Sequence, residues 1–192
     1  MVEKPATFKC ENEQIIGILH LSENQKFSLI IIVHRLNSNK LGSHSFFVRV
    51  AREFAKNGFG VLRFDFRGSG DFEGNYENQT VTSILKDLET VISNVSEIRE
   101  IEKICLIEHS RGVYLSLLQT SRDERIDCVI VWCESIQEEI LKGIILDEIK
   151  RNGYAIFRNF LITKKYVEDY LKYYLDFKKI KIPLGFIYGE FA

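Results

Sequence analysis

Residues 103–114 read KICLIEHSRGVY, and this stretch decides how the rest of the chain is understood. Ile104 to Ile107 form an apolar run of the length of a buried strand. His109-Ser110-Arg111 make a sharp polar corner, and Gly112 opens a helical pattern. A serine on a strand-to-helix corner is held proud of the sheet, with its hydroxyl free to meet a substrate, and a small residue two positions on lets the helix pass close to the strand. The pattern for such a corner is G-x-S-x-G. Here it stands as Glu108-His109-Ser110-Arg111-Gly112, with the second glycine present and a glutamate in place of the first. A surface turn with an incidental serine reads the same way over five residues, so the flanking sequence has to decide.

The flanks alternate. Working outward, Phe27 to Val33, Gly60 to Phe66 and Cys128 to Cys133 are further apolar runs, as expected of strands covered on both faces. Gly42 to Asn57 carries Phe46, Phe47, Val50, Ala51, Phe54 and Ala55 at helical spacing. Thr80 to Val95 does the same with Val81, Ile84, Leu85, Leu88, Val91 and Val95. Ala6–Lys9 and Ile15–Leu21 bracket the turn ENEQ and predict an N-terminal antiparallel hairpin. Ser135 with Glu138 gives a capping-box start for a helix bearing Ile136, Ile140, Leu141, Ile144 and Ile145. Thr163 to Phe177 predicts a tyrosine-rich helix, and Leu184 to Tyr188 a last strand. Strands alternating with helices from Phe27 onward predict an α/β fold, a mostly parallel doubly wound sheet within one domain, residues 1–192.

Composition excludes several function classes. The chain has 192 residues, 45% hydrophobic and 28% charged, with a net charge of −1 and no basic stripe of the kind nucleic acid requires. It has no apolar run of about 18 residues and no signal-like N-terminus, so neither a membrane nor export is read, and a cytoplasmic location is expected. Cys10, Cys105, Cys128 and Cys133 lack CxxC spacing and read as buried free thiols in a reducing compartment, with no metal site. Gly68 and Gly70 follow a strand, yet no helix begins at Gly70 and no acidic strand end follows at dinucleotide-binding distance. Asp65 and Arg67 read as loop-bracing partners.

Four stretches, in order, carry a family resemblance: IIIVHRLNSNK (30–40), GFGVLRFDFRGSGDFEG (58–74), the serine corner, and IKIPLGFIYGE (180–190). They resemble the α/β-hydrolase superfamily, most closely cinnamoyl esterase-like and serine aminopeptidase-like hydrolases. The resemblance implies Ser110 as nucleophile toward an acyl carbonyl, with the oxyanion held by the backbone N–H groups of Leu36 and Arg111. It implies a small-molecule ester or acyl substrate, no cofactor, and a small helical lid over residues 135–177; two helices simply covering the sheet fit that segment equally well.

The family places its acid after the strand matching Leu184–Tyr188 and its histidine later still, so the last strand and helix are expected to be missing here. None of His20, His34, His44 and His109 follows Ser110. The expectation is therefore a weak or inactive serine hydrolase in this form. The alternatives are a complete, non-catalytic binding module, and a subunit that a partner, or a second copy, completes at the exposed C-terminal edge strand. Arg35 and Glu108 both stand where the family has glycine, and an ion pair between them, modifying the pocket, is expected.

Overall fold

The computed structural model describes residues 1–21, 25–36, 38–72, 74–109, 113–132, 143–157 and 160–187. β1 (Val2–Cys10) and β2 (Glu13–Leu21) form the N-terminal hairpin, antiparallel and in register from Val2↔Leu21 to Cys10↔Glu13. β3 (Phe27–Val33), β4 (Gly60–Phe64), β5 (Ile101–His109), β6 (Cys128–Trp132) and β9 (Leu184–Ile187) are parallel to one another. The seven strands are ordered β1-β2-β4-β3-β5-β6-β9. β3, in the middle, is apolar from Leu29 to Val33, where helices cover both of its faces.

Alternation along the strands divides the core. Ile30, Ile32, Val61, Cys105 and Ile107 face α1 (Phe46–Lys56), which buries Phe47, Ala51 and Ala55 against them. Leu29, Ile31, Val33, Leu62, Phe64, Ile104 and Leu106 face α2 (Val81–Ser96) and α3 (Val113–Thr120). α2 forms where its apolar residues recur at helical spacing, and it starts at a capping box. Thr80 Oγ1 accepts from the Ser83 N–H, and the Thr80 N–H donates to Ser83 Oγ. Its seven buried apolar side chains contribute roughly 10–20 kcal/mol of burial before chain entropy is subtracted.

Two expectations change. Cys105 and Cys128 are not free thiols: the parallel register sets them opposite each other, Cα–Cα 4.7 Å, and they are joined in a disulfide. Cys10 is free and buried. The helix expected over Thr163–Phe177 stops early. α5 spans Lys164–Tyr170, with Thr163 accepting from the Tyr166 N–H at its start, because the following tyrosine turns to meet α2 and α3. Tyr173 O accepts from Tyr114 Oη, and Tyr173 Oη lies 2.7 Å from Thr82 Oγ1. α4 (Gly143–Asn152) is followed by a hairpin of β7 (Tyr154–Phe157) and β8 (Phe160–Thr163) that the sequence pattern did not announce. The capping box expected at Ser135 lies outside the described residues.

Among the described residues β9 pairs only with β6. Its Phe186 and Ile187 are 54% and 42% exposed. No helix among the described residues is long and apolar enough to cross a membrane.

Candidate active site at the carboxyl edge of the sheet

β3 and β5 are neighbours, with Val33 in register with Glu108. The chain leaving β3 (residues 34–40) and the chain leaving β5 toward Ser110 therefore emerge side by side, at the strand spacing of about 4.8 Å. Parallel α/β sheets bind ligands at this edge, beyond the carboxyl ends of their strands. Ser110 and Arg111 themselves lie outside the described residues.

The 34–40 loop is held at both ends by the chain leaving β4. At its start, His34 is buried and bonded through both ring nitrogens. Nε2 accepts from the Phe66 N–H at 3.1 Å, so the ring is protonated at Nδ1, which donates to Arg35 O at 2.8 Å. Burial holds its pKa below the ordinary histidine value, the bond to Arg35 O opposing. At the other end Lys40 is the anchor. Its N–H donates to Asp65 Oδ1 at 2.6 Å, and Nζ lies 2.5 Å from both Asp65 Oδ2 and Asp71 Oδ2. Its carbonyl accepts from Arg63 Nη1 at 3.0 Å. Burial pulls the lysine pKa down, but the bonds to Asp65 and Asp71 outweigh it and raise the pKa. Leu36, between the anchors, packs its side chain against the main core. Lys40 is visible in the sequence as part of NSNK, but nothing in a linear pattern pairs it with Asp65.

Residues 65–71 are braced in turn. Gly70 has φ +56°, and a Cβ there would collide with the Asp65 carboxylate, so glycine is required. Arg67 grips buried Asp87 of α2 through Nε at 2.9 Å and Nη2 at 2.6 Å, and reaches Glu11 at 3.2 Å. Gln79 donates to Arg67 O and to Ser69 Oγ. Asp65 and Arg67 are thus bracing residues, as their sequence context implied.

No histidine among the described residues is built as a general base here. His20 is buried, and its Nε2 accepts from Arg63 Nε at 2.8 Å. Burial, reinforced by the Arg63 charge, lowers its pKa to about 4. His34 has both nitrogens occupied. His109 points to the α1 side, against Phe46, Phe47 and Trp132. His44 is exposed, in the turn before α1.

The expected Arg35–Glu108 ion pair is not formed. Glu108 is fully buried on the α2/α3 face, and both its carboxylate oxygens lack a hydrogen-bond partner. Arg35 acts electrostatically on His109, whose side chain leaves the opposite face of the same strand. The strand alternation that sends His109 toward α1 sends Glu108 toward α3, and Arg35, which acts on His109, has no charge effect on Glu108.

Residues 145–157 and 160–175 pack on the main core and the start of α2. Ile145, Ile149, Ala155, Ile162, Tyr166, Val167, Tyr170 and Leu175 join the main core. The Asp169 carboxylate accepts from the Thr82 N–H at 2.7 Å, at the start of α2. The Tyr114 and Tyr170 rings are 4.9 Å apart, and burial pushes the Tyr114 hydroxyl up to about 12. Among the described residues no cluster of side chains could hold a metal ion.

Comparison with known proteins agrees with this geometry. The family model described as serine aminopeptidase, S33, matches residues 24–158. Est1E from Butyrivibrio proteoclasticus, solved with ferulic acid, is similar at 18% identity and TM-score 0.75, over 94% of this chain and 77% of that one. The Pyrococcus furiosus esterase Pf2001 is similar at 20% identity and TM-score 0.67, over 96% of this chain and 70% of that one. No curated protein gives a match. The family match spans well over half the chain, and its parallel sheet is that of the solved esterases: the chain belongs to the serine aminopeptidase S33 family of the α/β-hydrolase superfamily.

Proposed function

We propose that the chain is a serine hydrolase of esterase type that transfers an acyl group from a small carboxylic ester to water through Ser110. The observation that carries this reading is the 34–40 loop, clamped by His34 and Lys40 beside the end of the strand that leads to Ser110. A loop fixed in this way can present the Leu36 N–H, with that of Arg111, to the oxyanion of a tetrahedral intermediate, and fixed donors are what such stabilisation needs. The Ser110 hydroxyl adds to the carbonyl carbon, its proton passes to a base, and collapse expels the alcohol. Water then releases the carboxylic acid by the same route in reverse.

The base and its orienting acid are not among the histidines and carboxylates just described. We infer that they belong to chain beyond Ala192, and that the 192 residues alone hydrolyse esters weakly or not at all. A non-catalytic binding module is the second reading. It is favoured by His34, whose ring nitrogens are both taken up, and by His109, which is turned to the aromatic rings on the α1 side. A third has a partner, or a second copy, docking on β9, whose Phe186 and Ile187 are exposed.

The experiment compares ester hydrolysis by this chain and by the chain continued through the coding sequence after codon 192. A continuation that carries an Asp and a His and turns over ester in a Ser110-dependent way supports the hydrolase. A continued chain with no Ser110-dependent turnover overturns it in favour of the binding module.

A further inference from the structure

Among the described residues, Glu108 is the one buried carboxyl on the α2/α3 face that no bracing bond explains. It has no exposed surface, and among the described residues neither of its oxygens makes a hydrogen bond of good geometry, although the Ser116 backbone N–H approaches it. In register on either side are Val33 and Val131, both apolar and buried. Above it, in α3, the Ser116 hydroxyl is equally buried and equally without a partner. Two orphaned polar groups on the facing sides of one strand–helix seam are costly apart and complementary together.

We propose that Glu108 is a positioning residue: a neutral carboxylic acid that, with Ser116, clips the end of β5 to α3 and so fixes the two elements that flank Ser110. The proposal rests on the acyl-transfer reading for its functional consequence, but not for its chemistry. An ionised carboxylate only accepts, and would stand between Val33 and Val131 as a buried charge without a counter-charge among the described residues. A protonated one has a donor as well, and so can bond a serine hydroxyl in both directions.

Burial raises the Glu108 pKa well above the ordinary carboxylate value, with the Ser116 backbone N–H opposing. Among the described residues no charged side chain bears on it. On the packed elements, the buried acid of α2, Asp87, is bonded to Arg67, and the titratable group of α3 is Tyr114. His109, its neighbour in β5, lies among the aromatic rings on the α1 side. The sign of the linkage is fixed by the raised folded-state pKa. The folded chain keeps a proton that the unfolded chain releases above its ordinary carboxylate value. Folding therefore weakens as pH rises from there, about tenfold in equilibrium constant per pH unit, until Glu108 itself ionises.

The test is a titration of glutamate side-chain carbons by carbon-13 NMR on the chain itself, with Glu108 assigned by the signal lost in Glu108→Gln or, should that variant not fold, Glu108→Met. Hydrogen exchange of the α3 amides is followed over the same pH range. The expected result is a Glu108 carboxyl still protonated at neutral pH. As pH rises from the ordinary carboxylate value toward its ionisation, α3 protection falls by up to about tenfold per pH unit in the parent chain and not in the substituted one. A Glu108 that ionises in the ordinary carboxylate range overturns the proposal, as does α3 protection that falls equally without it. Neither readout needs turnover, so a failure of the hydrolase reading would show separately, as absent Ser110-dependent hydrolysis.

Discussion

Lys40 Nζ lies 2.5 Å from Asp65 Oδ2 with both groups buried, and the Lys40 N–H bonds the other oxygen of the same carboxylate at 2.6 Å. One residue thus closes the 34–40 loop with its backbone and its side chain at once. Asp71 takes the outer side of the ammonium and is largely exposed, so it contributes little beyond orientation.

Lys40→Met is expected to destabilise the fold by about 3–5 kcal/mol, because it leaves the Asp65 carboxylate buried without its counter-charge. Denaturant unfolding measures this. Asp71→Asn, on the exposed side of the same contact, should cost less than about 1 kcal/mol. Equal losses for the two variants would contradict the assignment of Asp65 as the buried partner.

His20 gives a pH dependence of known sign. Its folded-state pKa, about 4, is depressed from 6.5 by burial of the ring and, next, by the Arg63 charge beside it. The stability it contributes is fully present above pH 6.5 and is lost as pH falls toward 4. The loss should reach about 2–3 kcal/mol. His20→Gln should flatten that part of the stability profile. An unchanged slope would assign the acid sensitivity elsewhere, with buried His34 the next candidate.

The Cys105–Cys128 cross-link closes a loop with a sequence separation of 23. Chain-entropy arguments give such a loop about 3 kcal/mol of stabilisation. Peptide mapping without reductant should recover the two cysteines in one linked peptide, and reduction should lower the denaturation midpoint. Quantitative alkylation of Cys105 in the unreduced, unfolded chain would contradict the cross-link.

Much of the fold is legible in the sequence because its signals are long. The run from Leu29 to Val33 admits little but a doubly covered strand, and α2 shows six apolar residues at helical spacing from Val81 to Val95. What escapes the sequence depends on register and on facing. Cys105 and Cys128 are 23 residues apart, and only the β5–β6 pairing places them opposite each other. Arg35 and Glu108 are opposite charges at neighbouring strand ends, but strand alternation turns Glu108 to α3 and leaves Arg35 acting on His109. β7 and β8 are four residues each, too short for period-2 alternation to stand out from the helices around them. The bracing role of Asp65 and Arg67 was readable from the loop they sit in, whereas their partners Lys40 and Asp87 were not.

The most direct test of the central claim, a Ser110 nucleophile with no base among this chain's histidines, is the release of p-nitrophenolate from a short-chain ester by the 192-residue chain and its Ser110→Ala variant. The expected result is a rate for the parent chain no more than about 10³–10⁴ above the uncatalysed one, the level left when a triad is incomplete. Turnover far beyond that level, abolished by Ser110→Ala, would contradict the claim. It would mean that a base acts within these residues, with exposed His44 the first to substitute.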